Sequence, residues 1–161
     1  MPWRTQTCSA DLKIRPARPR DHAALTALWR RAVSASHRYL GARRLVEEET
    51  AVSTVYLPAC EVWIAEADGP VGFLALRPGG EVAGLFVDPV AQRKGVGWSL
   101  LDHVQAGATL HLEVAAPNFA ARAFYAHYGF REVSRRHDPD LDEELLHMRL
   151  SSPGPEVSTD G

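Results

Sequence analysis

The segment Val82 to Leu101, VAGLFVDPVAQRKGVGWSLL, constrains this chain more than any other. It reads as a buried strand, a tight loop Gln92-Arg93-Lys94-Gly95-Val96-Gly97, and then an apolar helix. A glycine-bearing loop that opens a helix after a strand aims backbone N–H groups and the positive end of the helix dipole at one spot. That spot suits an anion. The loop alone is equally compatible with a plain strand-to-helix turn. It is not a Walker loop, which needs a lysine and a hydroxyl after its second glycine, nor a dinucleotide fingerprint, which needs a third glycine.

The rest of the chain has to supply a sheet for that loop. Leu12 and Ile14, ahead of Pro16 and Pro19, predict a short first strand. Asp21 is expected to cap a helix whose apolar stripe is Ala24, Leu25, Leu28, Trp29, Ala32 and Val33. A second helix is expected from about Ala42 to Tyr56, ending before Pro58. Val62–Ala65, Val71–Leu76 and Val82–Val87, separated by Asp68-Gly69 and Gly79-Gly80, read as an antiparallel meander. Val96 to Gln105 is a helix stopped by Gly107, Thr109 to Val114 a buried strand, and Asn118 to Tyr128 a helix closed by Gly129. Phe130–Val133 and Leu145–Leu150 complete the set as strands.

Composition narrows the class. The chain has 161 residues, enough for one domain with a full core, and its formal net charge of −2 gives no general drive toward nucleic acid or anionic membrane. The expected organisation is a flexible N-terminus over 1–10, one domain over 11–150 and a disordered tail over 151–161. No secretory signal and no apolar run of membrane-spanning length is seen, so a cytoplasmic location is expected. Cys8 and Cys60 have no metal spacing and read as reduced thiols. His103, His111, His127, His137 and His147 show no ligand spacing either; they read as structural or surface groups, and no metal is expected.

A second block, LEVAAPNFAARAFYAHYGF, follows the first at the right distance. Together with VDPVAQRKGVG it resembles the Gcn5-related N-acetyltransferase (GNAT) superfamily, in particular a small bacterial subgroup of uncharacterised acetyltransferases. In strand order the likeness runs from about Leu12 to Leu150. It implies an α/β (α+β) GNAT fold: a mixed, mostly antiparallel sheet of six to seven strands, about four flanking helices, and splayed fourth and fifth strands. It implies acetyl-CoA as co-substrate and transfer of the acetyl group to a primary amine by direct attack in a ternary complex. The partners would be a coenzyme A thioester and a small amine or a protein amine, with no nucleic acid and no membrane, in a monomer or homodimer.

The resemblance also assigns roles. The backbone of Leu85, Phe86 and Val87 would bind the pantetheine arm as an added strand. The N–H groups from Arg93 through Lys94, Gly95, Val96 and Gly97 to Trp98 would hold the pyrophosphate, with Gln92 nearby. Arg93 departs from the family, where a small glycine is common. Asn118 is either only a helix cap or also a pantetheine contact, and Phe124 either core or a cofactor wall. Tyr125 is either a core aromatic or the acid that protonates the leaving thiolate. Glu81 is either the base for the acceptor amine or an exposed residue after a turn, with Glu113 on the facing strand as its rival. His37 either orients the acceptor or ends a helix. A catalytically silent acyl-CoA-binding module is the alternative function. A tRNA- or ribosome-directed acetyltransferase is a third, which the net charge disfavours.

Overall fold

The computed structural model describes residues 12–36, 41–105 and 109–150. In chain order these form β1 (Lys13–Pro16), α1 (His22–Ser36), α2 (Ala42–Ala51), β2 (Glu61–Glu66), β3 (Pro70–Arg77), β4 (Glu81–Val87), α3 (Val96–Gln105), β5 (Leu110–Ala115), α4 (Phe119–Tyr128), β6 (Arg131–Asp138) and β7 (Glu143–Leu150). The strands form one seven-stranded sheet in the order β1-β2-β3-β4-β5-β7-β6. The pairs β1–β2, β2–β3, β5–β7 and β6–β7 are antiparallel, and β4–β5 is parallel. The chain divides into two compact units. One takes the described residues up to Arg77 with Gly84–His103; the other takes Pro78–Ala83 with the described residues from Val104 onward.

In the first unit the expected helical stripe is the core. Leu25, Leu28, Trp29, Ala32 and Val33 are buried on α1, and only Ala24 of the predicted stripe faces solvent. Leu25, Leu28, Trp29 and Val33 cluster with Val52, Leu57, Val62, Ile64, Phe73 and Ala75. Each fully buried Leu or Phe here contributes about 2 kcal/mol relative to exposure. Strand β3 buries Phe73, Leu74 and Ala75 consecutively, which explains its unbroken apolar run: both faces are covered. At Gly72 a Cβ would lie 2.8 Å from Val96 Cγ1, so the absence of a side chain lets α3 approach.

Several boundaries differ from expectation, each for a local reason. Asp21 does not open α1; it ends a 3-10 turn, Pro19–Asp21, and its carboxylate accepts the Arg18 N–H at 2.8 Å. The second helix does not stop before Pro58. It runs from Ala42 through a π-helical segment, Val52–Tyr56, into a last turn, Leu57–Ala59. Proline clashes with the carbonyl four residues back in a straight α-helix. Here that carbonyl belongs to Thr54, inside the widened segment, where Leu57 N–H bonds Val52 C=O. Strand β6 extends to Asp138 although it has no apolar alternation past Val133; pairing with β7 holds it.

In the second unit, Leu110, Leu112 and Val114 of β5 and Leu146 and Met148 of β7 are buried, in keeping with the alternation of a half-covered strand pair. His37 and the two chain ends lie outside the described residues, so the expectations placed on them are not addressed by the structure.

Candidate active site

The loop after β4 takes the geometry that an anion cradle requires. Asp88 N–H donates to Val71 C=O at 2.8 Å, fixing the end of β4 against β3. The Asp88 carboxylate then accepts the Val90 N–H at 3.3 Å and starts a 3-10 turn, Pro89–Ala91. Gln92, Arg93, Lys94 and Gly95 follow, all exposed. The Gln92 side-chain amide donates back to Val87 C=O at 3.2 Å. Arg93 and Gly95 both have left-handed backbones, φ 67° and φ 83°. Arg93 therefore stands on a backbone that side chains rarely adopt and that glycine takes without strain. Nothing lies within 4 Å of where a Gly95 Cβ would be, so there is open space above the loop.

Ser99 N–H bonds Gly95 C=O at 2.9 Å, which makes Gly95 the residue that opens α3. Helix geometry leaves the Val96 and Gly97 N–H groups without acceptors inside the helix. Val96 itself is buried, and Gly97 and Trp98 are half-buried in the first turn. Leu85, Phe86 and Val87 are each half-buried on β4, with the Phe86 ring 5.4 Å from that of Phe73. The chemistry of this set fits a diphosphate: two cations, a glycine with open space beside it and helix-terminal donors.

The second unit carries the residues expected to do chemistry. Among the described residues, β4 and β5 are in register at Glu81 opposite His111, and His111 N–H donates to Gly80 C=O at 3.0 Å. Glu81 is half-buried. Glu113, two residues along β5, is clasped by Arg136: Nε to Oε2 at 2.7 Å and Nη2 to Oε1 at 2.8 Å. The guanidinium holds the Glu113 carboxyl below the usual range, so Glu113 is a committed carboxylate.

Asn118 caps α4, its side-chain oxygen accepting the Ala121 N–H at 3.2 Å. The Tyr125 ring meets those of Phe124 and Phe130 edge-on, at 5.3 and 5.4 Å. Tyr125 is half-buried as a residue, and burial pushes its phenol well above the ordinary tyrosine range. It is therefore a neutral proton-bearing group throughout the working range of an enzyme.

These features meet a clear set of relatives. The sequence model of the acetyltransferase (GNAT) domain matches residues 58–132. The peptidyl-lysine N-acetyltransferase YjaB of Salmonella typhimurium is 34% identical over 145 residues, 88% of this chain and 99% of the relative. The chain belongs to the GNAT acetyltransferase family. The solution structure of apo-form YjaB from Escherichia coli superimposes on this GNAT chain with a TM-score of 0.77, covering 88% of this chain and 98% of that one at 34% identity. A Thermoplasma acidophilum PaiA N-acetyltransferase solved in complex with coenzyme A shares the fold, with TM-score 0.72 and 18% identity over 87% of this chain and 98% of that one. The GNAT chain is an acyltransferase of the N-acetyltransferase class, and the expected mixed sheet with flanking helices is the fold observed.

Sequence reasoning did not single out five side chains that the fold brings into contact. Asp88 and Arg31 form an ion pair beneath the loop, and Arg136 holds Glu113. His111 and His147 stack with centroids 5.1 Å apart. Asp88, directly before a proline, carried a turn-cap signal in the sequence. The other four depend on which strands and helices become neighbours.

Proposed function

We propose that this GNAT protein transfers the acetyl group of acetyl-CoA to the side-chain amine of lysine in a protein substrate, by direct attack in a ternary complex. The loop geometry carries the coenzyme half of the proposal: left-handed Arg93 and Gly95 expose the opening of α3 and leave space beside it. The peptidyl-lysine activity in the names of the full-length relatives supports the acceptor half. The Arg93–Trp98 backbone, with Gln92 and the side chains of Arg93 and Lys94, would hold the pyrophosphate. The backbone of Leu85, Phe86 and Val87 would hold the pantetheine, with Asn118 and Phe124 as further contacts. A bound acetyl-CoA supplies an activated thioester carbonyl.

The chain's own residues then have separate tasks. The Leu85 N–H, or that of a neighbour, offers a donor to the oxygen on which charge develops. Glu81 accepts the proton of the acceptor ammonium, and Tyr125 supplies a proton to the departing sulfur. The Arg136 clasp makes Glu113 a poorer proton acceptor than Glu81. Among the described residues no helix is long and apolar enough to cross a membrane.

Calorimetric titration with acetyl-CoA, with ATP and NAD as controls, followed by mass spectrometry of a lysine-containing peptide incubated with both, tests this reading. Selective micromolar binding of acetyl-CoA and a single acetyl mass on lysine are expected. Binding without transfer to any amine would overturn the enzyme assignment in favour of a silent acyl-CoA-binding module.

A further inference from the structure

The proposed coenzyme loop holds a side chain on a backbone that disfavours it. Among the described residues Arg93 and Asp142 are the non-glycine positions with positive φ, at 67° and 53°. Aspartate tolerates this region because its short polar side chain can bond locally. Arginine has no such local bond to gain, and a glycine at the same position would carry no strain. Strained backbone of this kind clusters at ligand clamps, where the side chain it presents has a task. The protein itself does not use the guanidinium: Arg93 is exposed and has no hydrogen-bond or ion-pair partner among the described residues. Asp88, the nearest carboxylate in the chain, is already taken, with Arg31 on one oxygen and the Val90 N–H on the other. The Gln92 amide is turned back onto Val87 C=O. The pyrophosphate, for its part, is served by backbone: the first N–H groups of α3 and the open space beside Gly95.

We infer that the Arg93 guanidinium recognises the 3′-phosphate of coenzyme A, so that Arg93 is a specificity-determining residue of the co-substrate site; the inference rests on the acetyl-transfer reading. Coenzyme A carries two kinds of phosphate. Each linking phosphate of the diphosphate has one charge and two outer oxygens, which suit single backbone donors. The 3′-phosphate is a monoester, with a charge of about −1.5 to −2 near neutral pH and three acceptor oxygens. A planar guanidinium fork matches that terminal group in a bidentate way, which neither a backbone N–H nor a lysine can do. It has five donors, so a contact with the pyrophosphate leaves others for a second phosphate. The contact would select coenzyme A thioesters over adenine nucleotides, which share the diphosphate but lack the 3′-phosphate. It also gives a physical reason for a strained arginine where glycine would sit at ease.

The test is calorimetric titration of the full chain, its Arg93→Gly variant and its Lys94→Gln variant with acetyl-CoA and with acetyl-3′-dephospho-CoA. The readout is the ratio of the two Kd values, which a general loosening of the loop would leave unchanged. The unmodified chain is expected to bind acetyl-CoA about tenfold or more tighter than the dephospho compound. Arg93→Gly should bring the two within about twofold of each other. Lys94→Gln removes a neighbouring charge and should keep most of the ratio. Because Arg93→Gly relieves backbone strain, its unfolding temperature should not fall, which separates lost recognition from misfolding. Equal affinities in the unmodified chain overturn the inference and leave the acetyl-transfer reading standing. So does Arg93→Gly weakening both compounds by the same factor, or Lys94→Gln collapsing the ratio as far as Arg93→Gly does. If the unmodified chain binds neither compound, the acetyl-transfer reading falls, and the inference with it.

Discussion

Arg31 on α1 places two guanidinium nitrogens on one oxygen of Asp88, at 2.7 and 3.1 Å, while the other Asp88 oxygen caps the turn that leads into the loop. One carboxylate, largely buried, thus joins α1 to the start of the proposed pyrophosphate cradle. Arg31 is half exposed, so solvent screens much of the pair's energy. Its value is positional.

Asp88→Ala removes the cap and leaves Arg31 without its acceptor. The expected loss of stability is about 1 to 2 kcal/mol, read as a lower urea midpoint. The loop should loosen, so KM for acetyl-CoA should rise more than kcat falls. An unchanged KM would show that the loop does not depend on Asp88.

Arg93 pays for a left-handed backbone with a side chain that prefers to avoid one. Arg93→Gly should raise stability by about 0.5 to 1 kcal/mol by thermal unfolding. Calorimetry should show acetyl-CoA binding weakened in the same variant, because a cation is lost from the cradle. Weakened binding would be absent if the Arg93 guanidinium faces away from the phosphates.

Gly80 sits with φ 87° at a point where a Cβ would lie 2.2 Å from the Thr109 carbonyl oxygen. Gly79 has φ 88° and open space. Gly79→Ala should therefore cost only the backbone strain, about 1 kcal/mol. Gly80→Ala should cost about 2 kcal/mol more, because the β4–β5 junction beside Glu81 must open. Equal urea midpoints for the two variants would refute this.

Tyr125→Phe keeps the packing with Phe124 and Phe130 and deletes the hydroxyl. Turnover at saturating substrates should fall about a hundredfold while KM for acetyl-CoA holds. Because burial keeps the phenol protonated, no fall in rate from Tyr125 ionisation is expected up to about pH 10. Unchanged turnover would remove Tyr125 as the acid.

Arg15 bonds both Asp21 and Glu66, and its hydrogen bond is the leading cause of the lowered titration of each. Asp21 falls from its ordinary 3.8 to about 2. The folded state therefore binds this proton less readily than the unfolded chain. The stability it contributes is fully present above about pH 4 and is lost as pH falls through about 2. Arg15→Ala should lower Tm near neutral pH, and the gap from the unmodified chain should close toward about pH 2.

Local chemistry made much of this protein legible. The α1 stripe, the meander, the Asn118 cap and the opening of α3 follow from periodicity and turn residues acting over a few positions. The two motif blocks carried the family because their loop and helix geometry is local too. Pro58 misled because a neighbouring π segment absorbed it, and β6 was cut short because its outer half has no apolar pattern and is held by β7 alone. The partners of Asp88 and Glu113, and the stack of His111 on His147, were decided only by tertiary structure. Arg31 is 57 residues from Asp88 and Arg136 is 23 from Glu113. Side chains that far apart in the chain meet only when strand register and helix packing bring them together, and no local preference encodes that meeting.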